Sequence, residues 1–158
     1  MMSLKLLSLQ LLKPSRKQIA VAFISLSFVG FADAAYLTIL HYLAVLPPCS
    51  VVSGCEKVLT SQYSEVVGIP LALFGAVYYL FIFFLSITAL SFERWFQLYW
   101  AAFLTIGGLA VSLSLVYLQV FVINSLCFYC LISAGINILL FAVGIVYIFK
   151  VKASKIYI

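Results

Sequence analysis

Two pairs of cysteines are the residues of this sequence whose type and spacing can do chemistry. Cys127 and Cys130 stand three positions apart in the stretch CFYC, and five residues separate Cys49 from Cys55. Residues three apart on a helix have Cβ atoms about 5–6 Å apart, which suits a disulfide bond. Closing so small a ring stabilises a fold very little, so the CFYC spacing predicts a pair that exchanges disulfides.

The reactive form of a cysteine is the thiolate, and the sequence predicts a helix N-terminus at both pairs. Ser125 is the predicted N-cap of the last apolar helix, which puts Cys127 in its first turn. A capping box that begins at Ser53 predicts a short helix over about residues 54–61, with Cys55 in its first turn. The partial positive charge at a helix N-terminus favours a thiolate at both positions.

The composition is that of a membrane protein, with 66% hydrophobic and 8% charged residues among 158. A membrane-spanning helix needs roughly 20 apolar residues, and four such stretches occur, at about residues 19–46, 70–91, 98–123 and 126–149. Short connections between three of the spans favour antiparallel neighbours. The predicted fold is all-α: an integral membrane antiparallel four-helix bundle, one domain over residues 1–158, with a short interfacial helix in the first outward loop.

Basic residues are distributed unevenly along the chain. Only Lys57 falls in the loop over residues 47–69, whereas the termini and the turn between the second and third spans carry Lys5, Lys13, Arg16, Lys17, Arg94, Lys150, Lys152 and Lys155. The positive-inside rule therefore predicts cytoplasmic termini and places all four cysteines on the outer, oxidising side of the membrane. No exposed basic face remains to bind nucleic acid.

An irregular, accessible pair next to a fixed pair predicts an electron relay. Disulfide exchange passes through mixed disulfides, so Cys49 and Cys55 can carry electrons from an external protein to Cys127 and Cys130. The chain has one histidine and no Gly-rich nucleotide motif, which disfavours NAD, flavin and bis-histidine haem. A lipid-soluble quinone needs only an aromatic and aliphatic pocket, and is therefore the expected electron acceptor.

Other interpretations of the same residues stay open. Four cysteines can form two static disulfides in a non-catalytic membrane protein. No metal is expected, because the five residues between Cys49 and Cys55 exceed the usual two to four of a zinc site. Asp33 and His41 are polar residues of the first span that suit either a functional or a structural role, and neither is assigned one.

Several motifs, in order along the chain, resemble the vitamin K epoxide reductase (VKOR) family, specifically its prokaryotic branch. These motifs are AYLTILHYL in the first span, the Cys-x5-Cys loop with a serine six residues later, VVGIPLALFGAVYYL and CFYCLISAGIN. They cover about residues 19–149. The resemblance implies a membrane enzyme that catalyses disulfide bond formation and passes electrons to a quinone of the ubiquinone, menaquinone or vitamin K type.

Site residues follow from the same resemblance. It implies that Cys130 faces the quinone, that Cys127 completes the active-site pair, that Cys55 attacks this pair, and that Cys49 exchanges with the soluble partner. Besides the four cysteines, the resemblance implies that Ser61 supports catalysis and that Phe74 lines the quinone pocket.

Many bacterial family members carry a fused thioredoxin-like domain after the bundle, and this sequence ends at Ile158. The expected partner is therefore a separate thioredoxin-like or DsbA-like protein. A DsbB-type oxidase is the nearest alternative, although there the CxxC pair lies in the first outward loop. Reduction of vitamin K epoxide or its quinone is the second alternative.

Overall fold

The computed structural model of the protein describes residues 14–45 and 54–156, with side chains as far as Val151. Its elements are α1 Arg16–Tyr42, α2 Cys55–Leu59, β1 Glu65–Val66, β2 Ile69–Pro70, α3 Leu71–Ser91, α4 Trp95–Tyr117, a π-helical segment Leu118–Val122, and α5 Phe128–Ile156. Four helices of the described part are long and apolar enough to cross a bilayer: Arg16–Tyr42, Leu71–Ser91, Trp95–Val122 and Phe128–Val151. The predicted all-α class with four spans is confirmed.

The four long helices form a ring in which each packs against two others. Helix α1 contacts α3 and α5, and α4 contacts the same two helices from the other side. The interior is filled by large side chains, of which Phe23, Tyr79, Ile82, Leu98 and Leu140 are fully buried. Outward faces remain strongly apolar, with Phe28, Phe81, Phe103 and Phe149 more than half exposed. Such faces suit lipid tails, which are as apolar as these side chains.

Helix ends differ in detail from those expected. Helix α1 begins with a capping box in which Ser15 Oγ accepts from the Gln18 N–H at 3.2 Å, and it ends at Tyr42, before Ala44 takes a left-handed conformation with φ 53°. The short helix α2 covers five residues instead of about eight, with Gly54 as its N-cap. Ser53, expected as the cap, lies outside the described residues.

A small hairpin, which the sequence pattern does not predict, connects α2 to α3. Strand β1 pairs antiparallel with β2, and the two turn residues, Val67 and Gly68, have φ of 56° and 76°. Positive φ at both central positions matches the right-handed twist of a two-residue hairpin. The Leu71 N–H donates to Ser64 O at 2.8 Å, and Pro70 is the N-cap of α3. The hairpin therefore leads the chain into the second span.

Candidate active site

The CFYC stretch lies where α5 begins. Helix α5 starts at Phe128, so Cys127 occupies the N-cap position, and its carbonyl accepts from the Leu131 N–H at 3.0 Å. Cys127 is completely buried and Cys130 is partly buried, and both carry free thiols. Ser125, the predicted N-cap, does not hold that position. Its own N–H donates to Gln119 O at the end of the preceding span. The correction moves Cys127 from the first helical turn to the cap.

Hydrogen bonds lower the pKa of Cys127, and the largest contribution comes from the Cys130 thiol. A hydrogen bond from the Cys130 thiol lowers the pKa of Cys127, burial raises it, and hydrogen bonds from the backbone N–H groups of Cys130 and Tyr129 lower it again, to about 7. These N–H groups belong to the first turn of α5, where they have no carbonyl partner within the helix. Cys127 is thus placed to react as a thiolate near neutral pH.

The pH profile of Cys127 gives a test of this arrangement. We predict that alkylation by a small thiol reagent reaches half its maximal rate at about pH 7, since only the thiolate reacts. In Cys130→Ala the hydrogen bond that contributes most is lost, so the pKa of Cys127 rises and the profile moves to higher pH. Cys130→Ser is the matched control, because its hydroxyl still donates. Identical profiles in the two variants would contradict the role given to the Cys130 thiol.

Gln119 connects the third span to both thiol-bearing residues. Its Oε1 accepts from the Cys127 N–H at 3.1 Å, and its side chain also hydrogen-bonds the Cys130 sulfur. The residue is 3% exposed and belongs to the π-helical segment Leu118–Val122. Single turns of π-helix occur frequently at functional sites because they re-aim side chains. The sequence assigns Gln119 no catalytic role, since a glutamine within an apolar span gives no signal of the thiols that it contacts.

Cys55 packs directly against this pair. It is disulfide-bonded, 1% exposed, and lies in one buried cluster with Val58 and Cys127. The contact depends on Gly54, because an ideal Cβ there would lie 2.6 Å from Leu126 O and 2.8 Å from Leu126 N. A bare Cα thus lets the short helix α2 lie against the backbone that precedes Cys127. Cys49 lies outside the described residues.

Gly54→Ala is predicted to separate Cys55 from Cys127. In a Cys49→Ser, Cys130→Ser background the two remaining thiols can be oxidised to one intramolecular disulfide, whose yield mass spectrometry measures. The added methyl group must displace α2 from the Leu126 backbone, so we expect the initial rate of cross-linking to fall at least about tenfold. Gly135→Ala, where an added Cβ meets nothing within 4 Å, is the matched control. Equal rates in both variants would contradict the docking of α2.

A cavity of about 440 Å³ lies inside the bundle, beside the thiol pair. Cys130 lines this cavity, whereas Cys127 is packed against Cys55. The volume falls within the range of about 300–1,000 Å³ that is typical of small-molecule sites. Its walls come from the four long helices, the π-helical segment, α2 and the residues that follow α2, and they are mostly apolar, which suits a hydrophobic ligand.

The two remaining residues implied by the resemblance also line the cavity. Ser61 follows α2, and its hydroxyl donates to Val58 O at 2.7 Å, which leaves its oxygen able to accept from a ligand. Phe74 lies on α3 and is about half exposed, at the edge of the cavity. The structure thus brings Cys130, Ser61 and Phe74 to one cavity.

The two polar residues of α1 that were left unassigned line the same cavity. Oδ2 of Asp33 is buried and has no hydrogen-bond partner within residues 14–45 and 54–156. The negative charge of Asp33 raises the pKa of Cys127. Nε2 of His41 contacts Glu65 Oε1 at 3.3 Å, which ties the end of α1 to the hairpin.

Fold and site together define a multi-pass membrane protein with a dithiol between a disulfide-bonded loop cysteine and an apolar cavity. The model of the vitamin K epoxide reductase family matches residues 21–145. The chain belongs to that family, and it is therefore a membrane protein of the oxidoreductase class. No curated protein matches the sequence closely enough to be named as a relative.

Proposed function

We propose that this protein is a membrane thiol oxidoreductase that forms disulfide bonds and passes the electrons to a quinone. One observation carries the proposal: the free dithiol has one sulfur, on Cys127, packed with Cys55 and the other, on Cys130, facing the cavity. A static structural disulfide needs neither a free pair nor a cavity at one of its sulfurs. An electron relay needs a thiol pair that can be oxidised and a site for the electron acceptor beside one of its sulfurs.

The first half of the proposed cycle is thiol–disulfide exchange. A partner thiolate attacks Cys49 of a Cys49–Cys55 disulfide, and the second partner thiol then releases the partner as a disulfide, leaving two thiols in the loop. The Cys55 thiolate attacks a Cys127–Cys130 disulfide at Cys127 and releases the Cys130 thiolate. Cys49 then attacks Cys55, which re-forms the loop disulfide and leaves Cys127 and Cys130 as thiols. A disulfide-bonded Cys55 beside two free thiols is the state reached at this point.

The second half returns Cys127 and Cys130 to a disulfide. The thiols lose two electrons and two protons, and a quinone bound in the cavity supplies the acceptor for both, becoming a quinol. Cys130 is the sulfur beside the acceptor, and Ser61 offers its oxygen to the head group. Phe74 covers an apolar edge of the ring. The Cys127 thiolate, favoured by its low pKa, forms the S–S bond with the Cys130 sulfur as that sulfur passes the two electrons to the quinone.

The proposed orientation places the cysteines on the outer side of the membrane. Arg94 lies in the turn between α3 and α4, and Lys17 comes within 4.0 Å of Glu93 in the same turn. The side chain of Lys150 donates to Pro14 O at this end of the bundle. Basic groups thus gather at the end remote from the CFYC stretch, as the positive-inside rule expects of a cytoplasmic face.

The partner is a separate thioredoxin-like protein that meets Cys49.

A coupled assay tests the function. The protein in liposomes is supplied with a reduced thioredoxin-like protein and a short-chain naphthoquinone, and both partner thiols and quinone absorbance are followed. We expect one quinol for each partner disulfide formed. Replacing the quinone by vitamin K epoxide tests the alternative substrate. A protein whose cysteines stay uniformly oxidised and which consumes no acceptor would contradict the proposal and favour static disulfides.

A further inference from the structure

The end of the cavity remote from the CFYC stretch holds two buried polar atoms without partners. The hydroxyl of Tyr78 on α3 and Oδ1 of Asn137 on α5 are both shielded from solvent, and neither makes a hydrogen bond to any part of the chain that the structure describes. Both residues line the cavity. Buried polar groups in native proteins are nearly always hydrogen-bonded, so two unpaired atoms in residues that line a cavity favour a partner supplied by a ligand.

The two atoms meet over Gly108 of α4. An ideal Cβ on Gly108 would overlap the Tyr78 hydroxyl and lie 3.0 Å from Asn137 Oδ1. The missing side chain therefore leaves the space in which both groups lie. Neighbouring Tyr79 differs, because its hydroxyl already hydrogen-bonds Ser133 at 2.9 Å. Of these two hydroxyls, that of Tyr78 has no hydrogen-bond partner in the part of the chain that the structure describes.

The amide of Asn137 is held in a fixed orientation. Its Nδ2 donates to Ser112 Oγ at 2.7 Å, inside the bundle, and this bond turns Oδ1 toward Gly108. The position thus presents an acceptor, and Tyr78 beside it presents a donor. A donor and an acceptor side by side can hydrogen-bond both a carbonyl oxygen and the hydroxyl group that it becomes on reduction.

The distance to the thiols fits a ring between them. Cys130 and Asn137 are seven residues apart on α5, which places them on the same helix face about 10 Å apart along the axis. Both line the cavity, as do Ser133 and Ala134 between them. A quinone head group with one edge against the Cys130 sulfur has its far oxygen near the Tyr78 and Asn137 end.

We propose that Tyr78 and Asn137 bind the oxygen of a 1,4-quinone that lies remote from Cys130, an inference that rests on the proposed function. The Tyr78 hydroxyl donates to the carbonyl of the oxidised ring. Asn137 Oδ1 accepts from the hydroxyl of the quinol. The pair selects ligands with an oxygen at both ends of the ring, and it positions the ring edge at Cys130.

Two variants separate these contacts by redox form. Tyr78→Phe removes only the donor, so KM for a short-chain naphthoquinone is expected to rise about tenfold. Asn137→Leu removes the acceptor, so inhibition by added naphthoquinol is expected to weaken by a similar factor. Tyr147→Phe is the matched control, because its hydroxyl donates to Trp95 O at 2.8 Å outside the cavity lining. It should leave both constants unchanged.

Infrared spectroscopy gives a readout that a merely structural role would not move. Pre-oxidised protein cannot reduce the ring, so a naphthoquinone carrying ¹³C at one carbonyl can be observed bound. In the wild type one carbonyl band is expected at lower frequency than in an apolar solvent, and in Tyr78→Phe this shift should disappear. Two unshifted carbonyl bands in the wild type would mean that water alone satisfies Tyr78, and would overturn the proposal.

Failure of this proposal and failure of the proposed function give different results. A wild-type protein that reduces naphthoquinone, with Tyr78→Phe and Asn137→Leu showing unaltered KM and quinol inhibition, overturns the Tyr78 and Asn137 contacts alone. A wild-type protein that reduces no quinone while exchanging thiols with its partner overturns the quinone function, and this inference with it. A raised KM with a lost infrared shift supports both.

Discussion

Cys130→Ala is expected to lower quinone-dependent turnover by at least about 1000-fold. The reduction of a quinone to a quinol takes two electrons, which the dithiol supplies only if Cys127 can close a disulfide with Cys130. Without the second sulfur, the Cys127 thiolate can still attack Cys55 of the proposed Cys49–Cys55 disulfide and release the Cys49 thiolate, since Cys127 and Cys55 share a buried cluster. The Cys55–Cys127 disulfide should therefore accumulate, and mass spectrometry of non-reduced peptides measures it together with the turnover rate.

Ser114→Ala is the control for this prediction. The Ser114 hydroxyl donates to Ala110 O on an exposed face of α4, so its loss leaves the thiol site intact. Turnover should stay at the wild-type value, and no mixed disulfide should accumulate. Normal turnover in Cys130→Ala would contradict the assignment of the sulfur that faces the cavity.

Gln119→Leu is expected to have the next largest effect, a loss of turnover of about 100-fold. Leucine has a similar volume but leaves the Cys127 N–H buried without its acceptor and removes the hydrogen bond to the Cys130 sulfur. An unsatisfied buried donor costs about 1–3 kcal/mol, and misplacement of reacting atoms by about 1 Å costs a further large factor in rate. Turnover and thermal unfolding, measured on the same preparation, record the two consequences separately.

Gln119→Glu distinguishes the two contacts of Gln119. Glutamate keeps an oxygen that accepts from the Cys127 N–H but lacks the amide donor to Cys130. We expect the unfolding temperature of Gln119→Glu to lie closer to the wild-type value than that of Gln119→Leu. Its turnover should stay low. If both variants turn over at the wild-type rate, Gln119 has no part in positioning the thiols.

The elements that the sequence predicted well are those that rest on a single strong physical signal. Runs of about 20 apolar residues have few alternatives to a membrane-spanning helix, so the four spans and the all-α class were predicted correctly. The Cys127 and Cys130 spacing likewise indicated a thiol pair at the start of the last span, which is where the structure has it. Their roles in the reaction remain predictions, as do those of Cys55, Ser61 and Phe74.

The errors and omissions involve side chains whose partners are distant in the sequence. Ser125 was the better cap by residue type, but Gln119 O takes its N–H and leaves the cap position to Cys127. The hairpin was missed because its turn places β-branched Val67 at a φ of 56°, which sequence preferences disfavour. Asn137 gives no local sign that Ser112, 25 residues away, orients its amide. Such pairings depend on tertiary packing.

A single-turnover reaction of the purified protein tests most directly the central claim, that the Cys127 and Cys130 thiols reduce a quinone. Protein with Cys127 and Cys130 reduced and Cys55 disulfide-bonded is mixed with a small excess of naphthoquinone, without a thiol partner. Quinol formation and free thiols are then counted in the same sample. The account predicts one quinol and one Cys127–Cys130 disulfide for each protein molecule. Thiols that remain reduced while the quinone remains oxidised would contradict it.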